Sequence, residues 1–209
     1  MTMKKLFTTI ICAATVCGVT AAESVLRNGD FEIVEKRAKA TSKHLMGQIK
    51  QGWNIGNNGP VLELPKWWLV NNGKGTLRII TAGENGENKE NVKNGKNSLY
   101  FESRGGQLMC TAPKFKPGQY TLKFSAKGKG ILAFTCYCYG INPKTGKVGK
   151  FISSEKIYEL REDTANEWKD YSQTIEIGKK FEGTKECTFA FYGRSGAYYI
   201  DDISLIPVQ

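Results

Sequence analysis

Tyr137 and Tyr139 stand two residues apart in a strand-like run and alternate with Cys136 and Cys138. Successive side chains of a strand point to opposite faces, so one pair lines the core and the other looks outward. Cysteine is the more commonly buried type, which predicts the tyrosines on the outside. In the run from Cys187, Phe189 and Phe191 read as core and Tyr192 as outward-facing. If PKWWLV is extended, Trp67 and Trp68 also point opposite ways, and Trp68 is the candidate for the exposed face. Trp53, in QGWNIG, is expected in the core. Arg104, Gln107 and Arg194 sit beside these runs. Aromatic rings with Arg and Gln at hand can pack on the apolar C–H faces of a sugar ring and hydrogen-bond its hydroxyls.

Other chemistries find less in the sequence. Acid–base glycosidase catalysis needs two carboxylates about 5 to 9 Å apart across a cleft, and no motif marks such a pair among the twenty acidic residues. His44 is the only histidine and reads as a surface loop residue, with no GxSxG element to suggest a triad. GENGENKENVKNGK is a polar Gly/Asn loop rather than a phosphate cradle. No enzymatic activity is expected. Beyond the amino-terminal segment lie Cys110, Cys136, Cys138 and Cys187, which allow three pairings in an oxidising compartment. Cys136 and Cys138 share a strand face and are poorly placed to bond each other, so each is expected to pair with Cys110 or Cys187. A single CxC with one histidine falls short of a zinc site.

The elements that must carry these residues read as strands. Gln119–Ala126 alternates cleanly, with Tyr120, Leu122, Phe124 and Ala126 on one face, after a Lys116-Pro117-Gly118 turn. Similar runs cover 75–81, 98–103, 107–112, 131–139, 169–177, 187–192 and 198–207, separated by Gly/Asn/Lys clusters at 57–60, 83–95, 142–149 and 178–183. The stretch 35–51 reads as a long polar loop rather than a helix. Nine or ten short strands in one unit predict an all-β protein, an antiparallel β-sandwich.

Forty per cent hydrophobic and 24% charged residues exclude a disordered chain, a coiled coil and a multi-pass membrane protein. Lys4 and Lys5 followed by apolar Leu6–Val19 and small residues to Ala22 predict a cleaved signal peptide over residues 1–22, leaving a single domain over 23–209. No later apolar run approaches the roughly 20 residues of a membrane span. Secretion or periplasmic residence is expected. Without Lys4 and Lys5 the chain keeps twenty-eight basic against twenty acidic residues, a net +8. That charge attracts polyanions and could favour an acidic glycan or an envelope polymer. Nucleic acid is not expected, because no basic stripe interleaves with aromatics.

Five segments in order carry a resemblance: Leu26–Glu32 (LRNGDFE), Gly52-Trp53, Asn94–Leu99 (NGKNSL), Pro117–Leu122 with Ala126-Lys127-Gly128, and Tyr199–Leu205 (YIDDISL). This order resembles the carbohydrate-binding modules of the CBM4/9/16/22 type, jelly rolls of the galactose-binding-domain-like superfamily. The resemblance spans about residues 24 to 208 and implies non-catalytic recognition of a polysaccharide or other glycan through an aromatic-lined groove. It also implies a structural calcium, with the Asp30 carbonyl, the Glu32 and Asp201 carboxylates, and oxygens of Asn94 and Asn97 as ligands. Two such carboxylates brought together repel unless a cation sits between them. Asn94 stands where some members carry a glutamate, which implies weaker binding. From another class, the same sandwich could serve a structural or adhesive envelope protein through protein contacts.

Overall fold

The computed structural model describes residues 22–161, 163 and 166–208. The predicted signal peptide lies outside these residues, apart from Ala22. In chain order the elements are β1 (Val34–Ala38), α1 (Lys43–Lys50), β2 (Trp53–Ile55), β3 (Val61–Pro65), β4 (Trp68–Asn71), β5 (Lys74–Thr81), β6 (Asn97–Arg104), β7 (Gln107–Cys110), β8 (Gly118–Ile141), β9 (Val148–Leu160), β10 (Lys169–Ile177) and β11 (Glu186–Pro207). β1 and β3 form a two-stranded sheet; the other nine strands share one hydrogen-bonded network.

That network wraps into a β-sandwich because its two longest strands bend at their middles. β8 pairs with β10 through its first half and with β9 through its second. β11 pairs with β7 early and with β6 late. One layer therefore runs β10-β8-β11-β6-β5-β2 and the other β9-β8-β11-β7-β4. At the corner Gly130 faces Gly196. A Cβ on Gly130 would lie 2.1 Å from the Ser195 carbonyl oxygen, and one on Gly196 1.9 Å from that of Lys129, so only glycine permits the strands to approach as they turn.

The alternation of β8 and β11 fills the space between layers. Phe124 and Phe134, from opposite halves of β8, pack with tilted rings 4.5 Å apart between centroids. Phe101 meets Phe191 at 5.0 Å. Trp53, Phe189 and Phe191 are core residues, as the sequence predicts. Cys136 and Cys138 are fully buried and Tyr137 and Tyr139 look outward. The four cysteines among the described residues are free thiols, in place of the expected disulfides. Cys138 and Cys187 are nonetheless opposed across β8 and β11, with their sulfurs 3.9 Å apart. Burial pushes the Cys136 and Cys187 thiols well above the ordinary range.

Three expectations need correction. The stretch 35–51 is not a loop: β1 pairs with β3, and α1 follows with Ser42 as its N-cap, its hydroxyl accepting from Leu45 N at 3.4 Å. The helix buries Leu45 and Gln48, and eight residues are too few to show a clear 3.6 period. His44 therefore sits on a helix, with Nε2 2.8 Å from the Val70 carbonyl. β9 is a strand that the sequence hides, because three register shifts against β8 break its alternation. Trp68 is core rather than surface. It has no exposed area, packs on Phe31, Phe189 and Phe191, and donates through Nε1 to the Arg27 and Asn28 carbonyls. The run is not extended at Trp67, whose φ of 68° turns the chain and directs its ring outward, under Arg27 and Lys66.

Candidate functional site

The outer face of the β9-β8-β11-β7-β4 layer brings together most of the predicted ligand residues. Gln107 on β7 is opposite Tyr192 on β11, and Tyr137 on β8 is opposite Thr188. The Tyr137 hydroxyl donates to Gln107 Oε1, which joins β8 to β7 across β11. Between these side chains the face carries Ala133, Thr135, Thr188 and Ala190, all buried. Small residues flanked by large ones make a trough.

Phe151 closes one side. It lies opposite Tyr139 on β9, 6.1 Å from that ring and 6.2 Å from Tyr137, and is 53% exposed. Lys114 stands over Tyr139, with Nζ 5.1 Å from the ring centroid, a distance at which cation and ring attract. Burial pushes the hydroxyls of Tyr137 and Tyr139 above the ordinary tyrosine range, so both remain protonated. At the other end the bulge between Gly193 and Ser195 presents Arg194, whose guanidinium is 3.7 Å from Glu159. Lys156 at 3.1 Å and Arg161 at 2.5 Å complete a cationic ring round that carboxylate. The Lys156 and Arg161 hydrogen bonds hold the Glu159 carboxyl below the usual range, which unsuits it as a general acid.

Two predicted ligand residues are elsewhere. Trp68 is inside the core, and Arg104 lies on the other layer, opposite Lys74 and beside Glu102. Phe151, Lys114 and Glu159 were missed in the sequence. A signal existed for Phe151: taking the polar cluster at 142–149 as a hairpin turn pairs the following residues with the Tyr137–Tyr139 run.

The first described segment, residues 25–32, lies against the last part of β11 in the six-stranded layer. Val25 N donates to the Leu205 carbonyl at 2.8 Å, and Ile203 N to that of Gly29 at 2.9 Å. Glu32 Oε1 accepts from the backbone amides of Lys96 and Asn97, at 2.8 and 2.9 Å. Asp201 Oδ2 accepts from Asn94 N at 3.2 Å. The 94–97 turn thus holds both carboxylates. Asn94 also donates through Nδ2 to Asp202, at 2.5 Å. Asn97 Oδ1 accepts from Thr81, and Asp30 Oδ1 lies 3.5 Å from Glu32 N. Asp201 is fully buried with Asp202 beside it, and no ion pair reaches Glu32, Asp201 or Asp202 among the described residues. Burial, with the Asp202 charge adding to it against opposing backbone hydrogen bonds, pushes the Asp201 carboxyl up to about 7.

Anionic oxygens without a countercharge fit a hard cation in type and charge. No three His, Cys, Asp or Glu side chains converge on a metal-sized point among the described residues, so carbonyl and amide oxygens would have to complete such a site.

No family model matches the chain, and no curated protein matches it. Among solved structures it is similar to the CBM22-2 xylan-binding domain from Paenibacillus barcinonensis Xyn10C, at 13% identity over 68% of this chain and 92% of that one, with a TM-score of 0.46. It is similar to TmCBM61 in complex with β-1,4-galactotriose, at 14% identity, 90% and 100% coverage and a TM-score of 0.45. It is also similar to the Stig cyclase Fisc from Fischerella sp. TAU, at 11% identity, 91% and 100% coverage and a TM-score of 0.48. Carbohydrate-binding modules are thus among the solved folds this chain is similar to, and likenesses this distant assign neither ligand nor reaction.

Proposed function

We propose that the protein is an exported, non-catalytic glycan-binding protein that holds a polysaccharide in the trough on its five-stranded layer. The observation that carries this reading is the hydrogen-bonded Tyr137–Gln107 pair, flanked by Tyr139, Phe151 and Tyr192 over a floor of small residues. Aromatic faces desolvate the C–H side of a sugar ring, while Gln107 and Arg194 take hydroxyl or anionic groups from its edge. Because the Tyr137–Gln107 bond forms without ligand, little ordering entropy remains to be lost on binding. Lys114, Lys156, Arg161 and Arg194 surround the trough, and the net charge favours an acidic glycan or envelope polymer, with affinity that falls as salt rises.

A structural calcium where residues 25–32 meet β11 belongs to this proposal. Glu32 and Asp201 would hold it by their carboxylates, with Asp30, Asn94 and Asn97 supplying neutral oxygens. The ion would supply the positive charge that Asp201 lacks. Export through the amino-terminal signal peptide places the protein in the periplasm or outside the cell, where such a polymer is met.

A second reading, contact with a protein of the cell envelope, draws on the exposed Phe151 and Ile141 at one end of the same face. Binding to a panel of neutral and acidic polysaccharides separates the two. Glycan recognition predicts that Tyr137→Ala weakens the best ligand by about 30-fold, the loss typical of a central aromatic contact. Binding to no glycan, with the melting curve unchanged, would leave the protein-contact reading.

A further inference from the structure

We propose a second saccharide site on the outer face of the six-stranded layer, independent of the Tyr137 trough and taking a neutral sugar ring. Asn54, Thr76 and Glu102 form one cross-strand row over β2, β5 and β6, and the row ends on the small Ala197 of β11. Arg78, Tyr100 and Tyr199 form the next row on the same face. Asn54, Thr76 and Glu102, together with Lys74 and Arg104, line a depression of about 220 Å³. Pockets for drug-sized ligands start at roughly 300 Å³, so this one suits a single ring.

Two buried atoms on this face have no hydrogen-bond partner among the described residues: the acceptor Oδ1 of Asn54, which lines the depression, and the donor Nε of Arg78, in the next row outside it. Buried polar atoms are nearly always paired, so such orphans point to water or a ligand absent from the protein alone. Glu102 accepts the Tyr100 hydroxyl at 3.3 Å and enters no ion pair among the described residues. A bare donor alone would select an anion, and a bare acceptor alone a cation. Both on one face select groups that donate and accept together, and adjacent sugar hydroxyls do so. A sugar would reach the two buried atoms through a bridging water or after a side-chain rotation. Tyr100 and Tyr199, edge to face with centroids 5.3 Å apart, offer the apolar surface that a ring's C–H face needs. Arg104, beside Glu102, belongs to this face rather than to the trough.

The test is a nuclear magnetic resonance titration of isotope-labelled protein lacking residues 1–22, with D-galactose, D-xylose and D-galacturonate to tens of millimolar. Saturable amide shifts are expected at Asn54, Thr76 and Glu102 with a neutral sugar. These shifts should persist in Tyr137→Ala and weaken by about tenfold or more in Glu102→Ala and in Asn54→Ala, whose dispersed spectra report that each still folds. Absence of shifts at these three residues with both neutral sugars overturns the proposal. So do shifts there with galacturonate alone, or their loss in Tyr137→Ala. If the trough residues fail to respond while this face does, the reading of the trough fails and the second site stands.

Discussion

The two outer faces of the sandwich handle their polar groups in opposite ways. On the five-stranded layer, Tyr137 is bonded to Gln107 and Glu159 is ringed by three cations. On the six-stranded layer, Asn54 Oδ1 and Arg78 Nε are buried without partners among the described residues, and Asp201 is buried with no ion pair among them. A satisfied face is rigid before a ligand arrives and gains mainly through shape and stacking. An unsatisfied face stores a penalty that a ligand or ion relieves, so binding there should couple to stability.

The largest effect should come from what both faces share. Trp68→Ala is expected to cost about 3–5 kcal/mol, because it empties the centre of the core. Urea unfolding measures it, and a loss below about 1 kcal/mol would mean Trp68 is not the packing residue its burial indicates.

The clasp on the six-stranded side gives the next effect. A carboxyl raised to about 7 from 3.8 keeps a proton in the folded state that the unfolded chain releases. In chelator the protein should therefore lose stability as pH rises from about 4 to about 7, by on the order of 4 kcal/mol at most, with no further loss from this group above that window. Added calcium should flatten the slope. Thermal melts at four pH values, with and without chelator, decide the matter; equal slopes in both would remove the ion from the account.

Two small substitutions sharpen the contrast directly. Gln107→Leu strands the Tyr137 hydroxyl and should cost about 1 kcal/mol. Asn54→Leu removes an orphaned amide oxygen and should leave the free protein equally stable, or more stable by about 1 kcal/mol. If both destabilise alike under urea, the two faces do not differ in the way described.

What the sequence revealed divides along similar lines. Alternation placed Tyr137 and Tyr139 outside and Cys136 and Cys138 inside correctly, because β8 keeps a period of two with a buried partner layer behind it. Trp68 defeated the same logic, since one positive φ at Trp67 changes which neighbour turns inward. β9 was invisible because bulges and a polar edge strand erase the pattern, and Phe151 was lost with it. The meeting of Glu32 with the 94–97 turn was legible only through the family resemblance, since that contact spans more than sixty residues of sequence. The unsatisfied face had no signature at all: an orphaned amide is a property of the packed structure, not of residue order.

The most direct test of the central claim is calorimetric titration of the protein lacking residues 1–22 with the strongest polysaccharide from a binding panel, at low and moderate salt, beside Tyr137→Ala. Saturable binding is expected, weakening with salt and falling about 30-fold in the variant while its melting temperature holds. Equal affinity in the two proteins would contradict it and place recognition elsewhere on the molecule.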